Sequence, residues 1–256
     1  GAAATVAVGL LVTNNVVGNA TAAATDQVTG IGITVQGTNN GIVRGNTVRV
    51  EGYVQASAVN KGIDVGTIST TGLTNVTIEK NIVERVINND GTSWPATGIN
   101  IAGGTNHIVQ NNFVGNCLNS QVAGSGAFST TFGCFGIRIA TGAGHKIYHN
   151  SVHFSGVVPG STSTDLIACL GIVSTASTGM DIRNNIFSNR ATGGNPTPYN
   201  TVFTCVYVPS ITAMTLIMNN NAYYQGSTAY SGIGQRSTTG SAANLYLASN
   251  FNASAT

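Results

Sequence analysis

Seven asparagines, Asn15, Asn46, Asn81, Asn112, Asn150, Asn185 and Asn221, recur at intervals of 31, 35, 31, 38, 35 and 36 residues, each inside the same small pattern. Two residues after them stand Val17, Val48, Val83, Val114, Val152, Phe187 and Tyr223; three before them stand Val12, Val43, Ile78, Val109, Ile147, Ile182 and Met218. Both columns are apolar throughout. A self-similar period of this length marks a repeat architecture, in which each unit buries its apolar face only against its neighbours.

Gly32, Gly98, Gly136 and Gly171 each lie fourteen residues before their asparagine and open short runs, Gly-Ile-Thr-Val, Gly-Ile-Asn-Ile, Gly-Ile-Arg-Ile and Gly-Ile-Val-Ser. Gly62 opens Gly-Ile-Asp-Val with five extra residues before Asn81. Such alternation reads as strands with one buried face. A second strand ends at each asparagine and a third begins after it. The arc from asparagine to the next glycine, 16 to 24 residues rich in Gly, Ser, Thr, Asn and Ala, carries the insertions. No stretch offers the ten or more residues of 3.6 period that a crossover helix needs.

The pattern therefore predicts an all-β fold, a right-handed parallel β-helix of about seven coils over residues 1–226. Residues 227–256 form a further coil, a cap or a docking segment of the same domain. With turns about 4.8 Å apart, equivalent residues stack. Stacked asparagine amides hydrogen-bond along the axis, which explains why an amide occupies the bend into the core. Charges test the register: it sets Arg44 beside Glu79, Arg49 beside Glu84 and Lys146 beside Asp181. At about 0–1 kcal/mol each, exposed pairs are informative about alignment rather than stability.

The Gly-Ile-x-Ile … Ile-x-x-Asn-x-Val units resemble right-handed parallel β-helix repeats of the pectate-lyase-like superfamily. Residues 183–189 (Arg-Asn-Asn-Ile-Phe-Ser-Asn) and 219–224 (Asn-Asn-Asn-Ala-Tyr-Tyr) also resemble closing repeats of large secreted bacterial surface proteins. The resemblance implies the fold and leaves activity open, because lyases, hydrolases, epimerases, tailspikes and adhesins all use it.

Charged residues make up 7% of the chain, against about 25% in an ordinary domain, and the net charge is +2. Ten scattered basic residues give no patch for nucleic acid. No apolar run reaches the roughly 18 residues of a membrane-spanning helix. Gly1 falls fourteen residues before Asn15, so the first residue enters in mid-coil. A bare parallel edge there implies preceding residues or a neighbouring copy stacked end to end, as in a filament.

Cys134, Cys169 and Cys205 each lie sixteen residues before an asparagine and so share a column, with Cys117 in the loop after Asn112. Buried thiols are the leading reading and one disulfide the alternative; zinc spacings are absent. His107 and His145 lie five before their asparagines, one above the other. They are candidates for a shared metal, with stacked structural imidazoles as the plainer reading. No cofactor is expected.

Glycan chemistry on this fold needs clustered carboxylates. Of eight acids, Glu79, Glu84 and Asp181 have neighbouring cations, leaving Asp26, Glu51, Asp64, Asp90 and Asp165 scattered. The one constellation is the outward column Thr34, Asp64, Asn100, Arg138, with Asp64 and Arg138 about 10 Å apart as catalytic candidates and Asn100 as a ligand-binding one. Its plain reading is a solvated strand face. Trp94, Tyr53 and Tyr148 are candidate stacking platforms for sugar.

Three functions remain in view. The first is a non-catalytic structural or adhesive module, extracellular or at the cell surface. The second is a polysaccharide lyase or glycoside hydrolase, with its site on the Asp64–Arg138 strands or in the loops 116–133 and 155–168. The third is a carbohydrate-binding module.

Overall fold

In the computed structural model the described residues are 6–21, 27–52, 59–89, 95–119, 133–160, 164–210, 214–249 and 251. They form an all-β parallel β-solenoid. One seven-stranded sheet stacks the strands that lead into the asparagines, from Leu11–Thr13 to Leu216–Asn219. A second seven-stranded sheet stacks those that follow them, from Val16–Val17 to Ala222–Gln225. The third, eight-stranded, stacks the glycine-led strands from Ile31–Val35 onward. All pairings between these strands are parallel except at the far end, where Leu245–Tyr246 folds back antiparallel on Ser231–Arg236.

The asparagine column is continuous. Each Nδ2 donates to the Oδ1 of the next asparagine at 2.9–3.0 Å, from Asn15 to Asn46 and on to Asn185 to Asn221. The same Oδ1 accepts the preceding asparagine's backbone N–H. The second Nδ2 proton goes to a backbone carbonyl of the turn before, as from Asn112 to Ile78 at 2.9 Å. Within the stack both amide protons and the carbonyl oxygen are thus satisfied, which is what permits burial of so polar a group.

The residue ahead of each ladder asparagine makes the bend in a left-handed conformation: Asn14, Gly45, Lys80, Asn111, His149, Asn184 and Asn220 have φ between 54° and 66°. Glycine and asparagine tolerate this region; other side chains crowd the following carbonyl there. Lys80 is exposed, so Lys80→Gly should relieve that crowding. Left-handed crowding costs about 1–2 kcal/mol and glycine's chain entropy returns about 0.5–1 kcal/mol. The expected net gain is roughly 0.5–1 kcal/mol, read as a raised melting temperature; an unchanged or lowered one would show that Lys80 sits there without strain.

The glycine column exists for space. A Cβ on Gly32, Gly62, Gly98 or Gly136 would lie 2.3–2.5 Å from a Cγ1 of Val48, Val83, Val114 or Val152, the valines two residues after each ladder asparagine. Glycine and valine columns are therefore one packing unit across the core. On the next turn the valine becomes Phe187, and the unit changes. Ile137 pairs with Leu170 and Arg138 with Gly171, so Gly171 does not continue the glycine column as its spacing suggests. Cys169 stands opposite Gly136 instead, and Cys205 opposite Cys169. Cys134 faces Ile167 and leaves that column. Cys117, expected in a loop, sits in the strand Phe113–Asn119 opposite Val86. All four cysteines are buried and none is in a disulfide. Burial pushes the Cys117 and Cys169 thiols well above their ordinary range.

Arg44 pairs with Glu79, and Arg49 with Glu84 at 2.5 Å. Lys146 is aligned with Asp181, yet Asp181 is taken by Arg183 at 2.5 Å and by the Tyr148 hydroxyl at 2.7 Å. Strand alignment sets which backbones meet; side-chain reach selects the ion pair.

Candidate functional site

Strand register brings Thr34, Asp64, Asn100 and Arg138 into one line on the outer face of the glycine-led sheet. The solvated face expected there is not what forms. Asp64 is 0% exposed and Asn100 1%. Asp64 Oδ1 accepts from Lys61 Nζ at 3.0 Å, from Thr67 Oγ1 at 2.6 Å and from Asn100 Nδ2 at 2.8 Å. Lys61 Nζ also donates to Thr67 Oγ1 at 2.8 Å. Asp64 Oδ2 is buried without a hydrogen-bond partner among the described residues. The carboxylate is thus the floor of a polar network, with Lys61 as its ion-pair partner.

Above this network opens a pocket of about 230 Å³ lined by Val59, Lys61, Thr67, Pro95, Thr97, Asn100, Ala102, Gly133 and Arg138. Asp64 lies beneath that lining rather than in it. Arg138 reaches the pocket from the next strand over, and its Nη1 donates to Asn100 Oδ1 at 2.9 Å. Burial lowers the Arg138 pKa and the Asp64 charge acts against that. Past Arg138 the outer face turns apolar: Phe135, Leu166, Ala168, Val202, Tyr207 and Leu245 form a second, smaller core.

A general base must come within hydrogen-bond reach of its proton, directly or through one water. Asp64 lies under Lys61, Thr67 and Asn100, which together occupy its Oδ1. Glu51, which the repeat spacing leaves without a cation beside it, pairs with Arg85. The positive φ of Arg85, 55°, falls where the register shifts between Val83 and Val86 and brings the side chain back to the previous turn. Asp165 is buried, accepts from the Leu166 N–H at 2.9 Å, and is pushed up to about 7 by desolvation. Asp26, Asp90, Tyr53 and Trp94 lie outside the described residues.

His107 and His145 stack with centroids 4.9 Å apart and planes 8° from parallel. Their nitrogens are occupied by the backbone. His107 Nδ1 accepts the Val76 N–H at 3.0 Å and its Nε2 donates to Gly103 O at 3.0 Å. His145 Nδ1 accepts the His107 N–H at 3.2 Å and its Nε2 meets Thr141 O at 3.4 Å. No lone pair remains for a metal on either neutral ring. Burial lowers both to about 4, with His107 also acting on His145. Tyr148 is half-buried, and desolvation together with its bond to Asp181 raises it to about 12. A hydroxyl so engaged makes it part of an ion-pair network, edge-on to His149.

Comparison with protein-family models, with curated proteins and with solved structures finds no match. The geometry of the site is therefore what bears on function. The repeat spacing brings Asp64, Asn100 and Arg138 together but does not point to Lys61 or Thr67. A signal for Lys61 is present, since it lies three residues before Asp64 in the same strand, Asn60–Val65. Thr67 comes from the irregular segment after that strand and carries no periodic signal.

Proposed function

We propose that this chain is a non-catalytic structural or adhesive β-helix module of an extracellular or cell-surface protein, related in its coil to the pectate-lyase-like superfamily. The observation that carries this reading is the fate of the acids. Glu51, Glu79, Glu84 and Asp181 are each held by an arginine, Asp64 by Lys61 beneath its pocket, and Asp165 is buried on a backbone amide. Among the described residues no two carboxylates face each other across a cleft as acid and base must. A second support is the continuous ladder, which favours a stiff rod over a pliable cleft. End-on stacking with further coils fits the first described coil, where Val8, Leu11 and Val16 are 74%, 61% and 75% exposed.

Incubation with uronic-acid and neutral polysaccharides, with and without calcium, should release neither unsaturated nor reducing ends. Release that disappears in folded Asp64→Asn and Arg138→Ala variants would replace this reading with the lyase or hydrolase one. Light scattering over a range of concentrations should show mass growing in whole-chain steps if copies stack on each other.

A further inference from the structure

We infer that the pocket over Lys61, Thr67, Asn100 and Arg138 is a binding site for a carboxylate group, gripped by the Arg138 guanidinium. Such binding goes beyond the structural role and does not depend on it, since it needs no turnover.

The other arginines of the described coils are all engaged. Arg44, Arg49, Arg85 and Arg183 each meet a carboxylate. Arg190 and Arg236 lie over the rings of Tyr224 and Tyr246 at 5.8 and 5.5 Å. Arg138 has neither. Among the described residues no carboxylate lies within ion-pair distance of it, and its hydrogen bond is one neutral contact to Asn100 Oδ1. A guanidinium carries five N–H donors in a rigid fork, so most of its capacity is left toward the pocket it lines. Partly buried charge without a counter-ion is costly, and the cost is recovered when an anion arrives.

The arm is also aimed. Asn100 is fixed by donating to Asp64 Oδ1 at 2.8 Å and Thr67 Oγ1 at 3.3 Å, which turns its Oδ1 toward Arg138. Lys61 is spent on Asp64 and Thr67. Counting Lys61 and Arg138 as +1 each and Asp64 as −1 gives the site a net charge of +1. That balance matches one carboxylate; a phosphate dianion would leave charge unanswered. The fork geometry suits a planar carboxylate held by two parallel bonds. Thr97 offers a hydroxyl beside it, and Val59, Pro95 and Ala102 form an apolar wall for a short carbon skeleton; the Thr67 proton is already given to Asp64. About 230 Å³ lies below the usual range for drug-sized ligands, roughly 300–1,000 Å³, and suits a small acid or a single acidic sugar unit.

The test is calorimetric titration of the whole chain with acetate, glucuronate, glucose and inorganic phosphate, at low and moderate salt. Saturable binding of a carboxylate, with no binding of glucose and weaker binding of phosphate, is expected. Acetate and glucuronate binding alike points to a free-acid source; a clear preference for glucuronate points to an acidic saccharide. Arg138→Gln should weaken binding at least about tenfold, while Lys146→Gln, which removes an exposed cation elsewhere on the coil, should leave it unchanged. If Arg138→Gln does not fold, Arg138→Lys keeps the charge without the fork and should still weaken binding severalfold. Absence of saturable carboxylate binding by the unaltered chain, equal binding in the Arg138 variants, or tighter binding of phosphate would overturn the inference. None of those results bears on polysaccharide cleavage, so this site and the structural reading can fail separately.

Discussion

Replacing Asn112 by alanine should cost about 3–5 kcal/mol, the largest single-residue loss expected along the ladder. The substitution removes one amide and leaves two buried N–H groups unanswered. Asn81 loses the acceptor for both its backbone N–H and one Nδ2 proton, each at 3.0 Å, and the Ile78 carbonyl loses one of its donors. Each stranded buried group costs about 1–3 kcal/mol. Gln110→Ala, two residues earlier, removes an amide from Glu79 at a partly exposed position and should cost under about 1 kcal/mol. Urea unfolding of both variants beside the parent chain measures the difference. Equal midpoints would mean that the column is ornament rather than support.

Acid should be the second large effect. His107 and His145 bind protons at about 4 in the folded state and near 6.5 when exposed. Above pH 6.5 both states hold neutral rings and the stabilisation is complete. As pH falls from 6.5 toward 4, the unfolded chain takes up two protons that the folded chain refuses, so stability is lost. A tenfold difference in proton affinity between the two states is worth about 1.4 kcal/mol, so each ring accounts for roughly 3 kcal/mol. Asp165 works in the opposite direction. Its carboxyl, raised to about 7, keeps a proton that the unfolded chain releases from about pH 3.8 upward, so it weakens the fold as pH rises through that window. Two histidines against one aspartate leave one proton's slope, a net loss of roughly 3 kcal/mol between pH 6.5 and 4. Asp165→Asn should remove the opposing contribution, making the chain more stable at pH 7 and its acid loss about twice as steep. Denaturant midpoints at half-unit steps of pH test both slopes. A stability that stays flat below pH 6.5 would show that the rings are not held neutral.

The period of the asparagines and the two apolar columns beside them are enough to align adjacent turns, because parallel stacking repeats the same side chain in the same place. The alignment fails where packing partners change size. Gly171 keeps the glycine spacing, but the valine that a glycine must accommodate has become Phe187, and the strand shifts by two residues. Spacing alone does not report that exchange. A second column of left-handed residues, Gly9, Asn40, Asn75, Asn106, Gly144 and Gly179, each six before a ladder asparagine, is written plainly in glycine and asparagine. It marks a further bend that the ladder period by itself does not reveal. For the candidate site, register places Asp64, Asn100 and Arg138 in line. Their burial is not legible, because it comes from Lys61 and Thr67 folding over the strand and from an apolar patch beside it that no period announces.

The asparagine stack has a direction. From Asn15 to Asn185, each side-chain amide gives one proton to the Oδ1 of the next, always toward the Asn221 end. Six bonds in file align seven amide dipoles, and neighbours in such a file polarise one another. The rod is therefore electrically unsymmetrical about its middle, in the way a helix is. Its Asn15 face presents oxygen and its Asn221 face presents N–H. Two such rods brought face to face in opposite senses would set like poles together, whereas rods pointing the same way along one axis would attract.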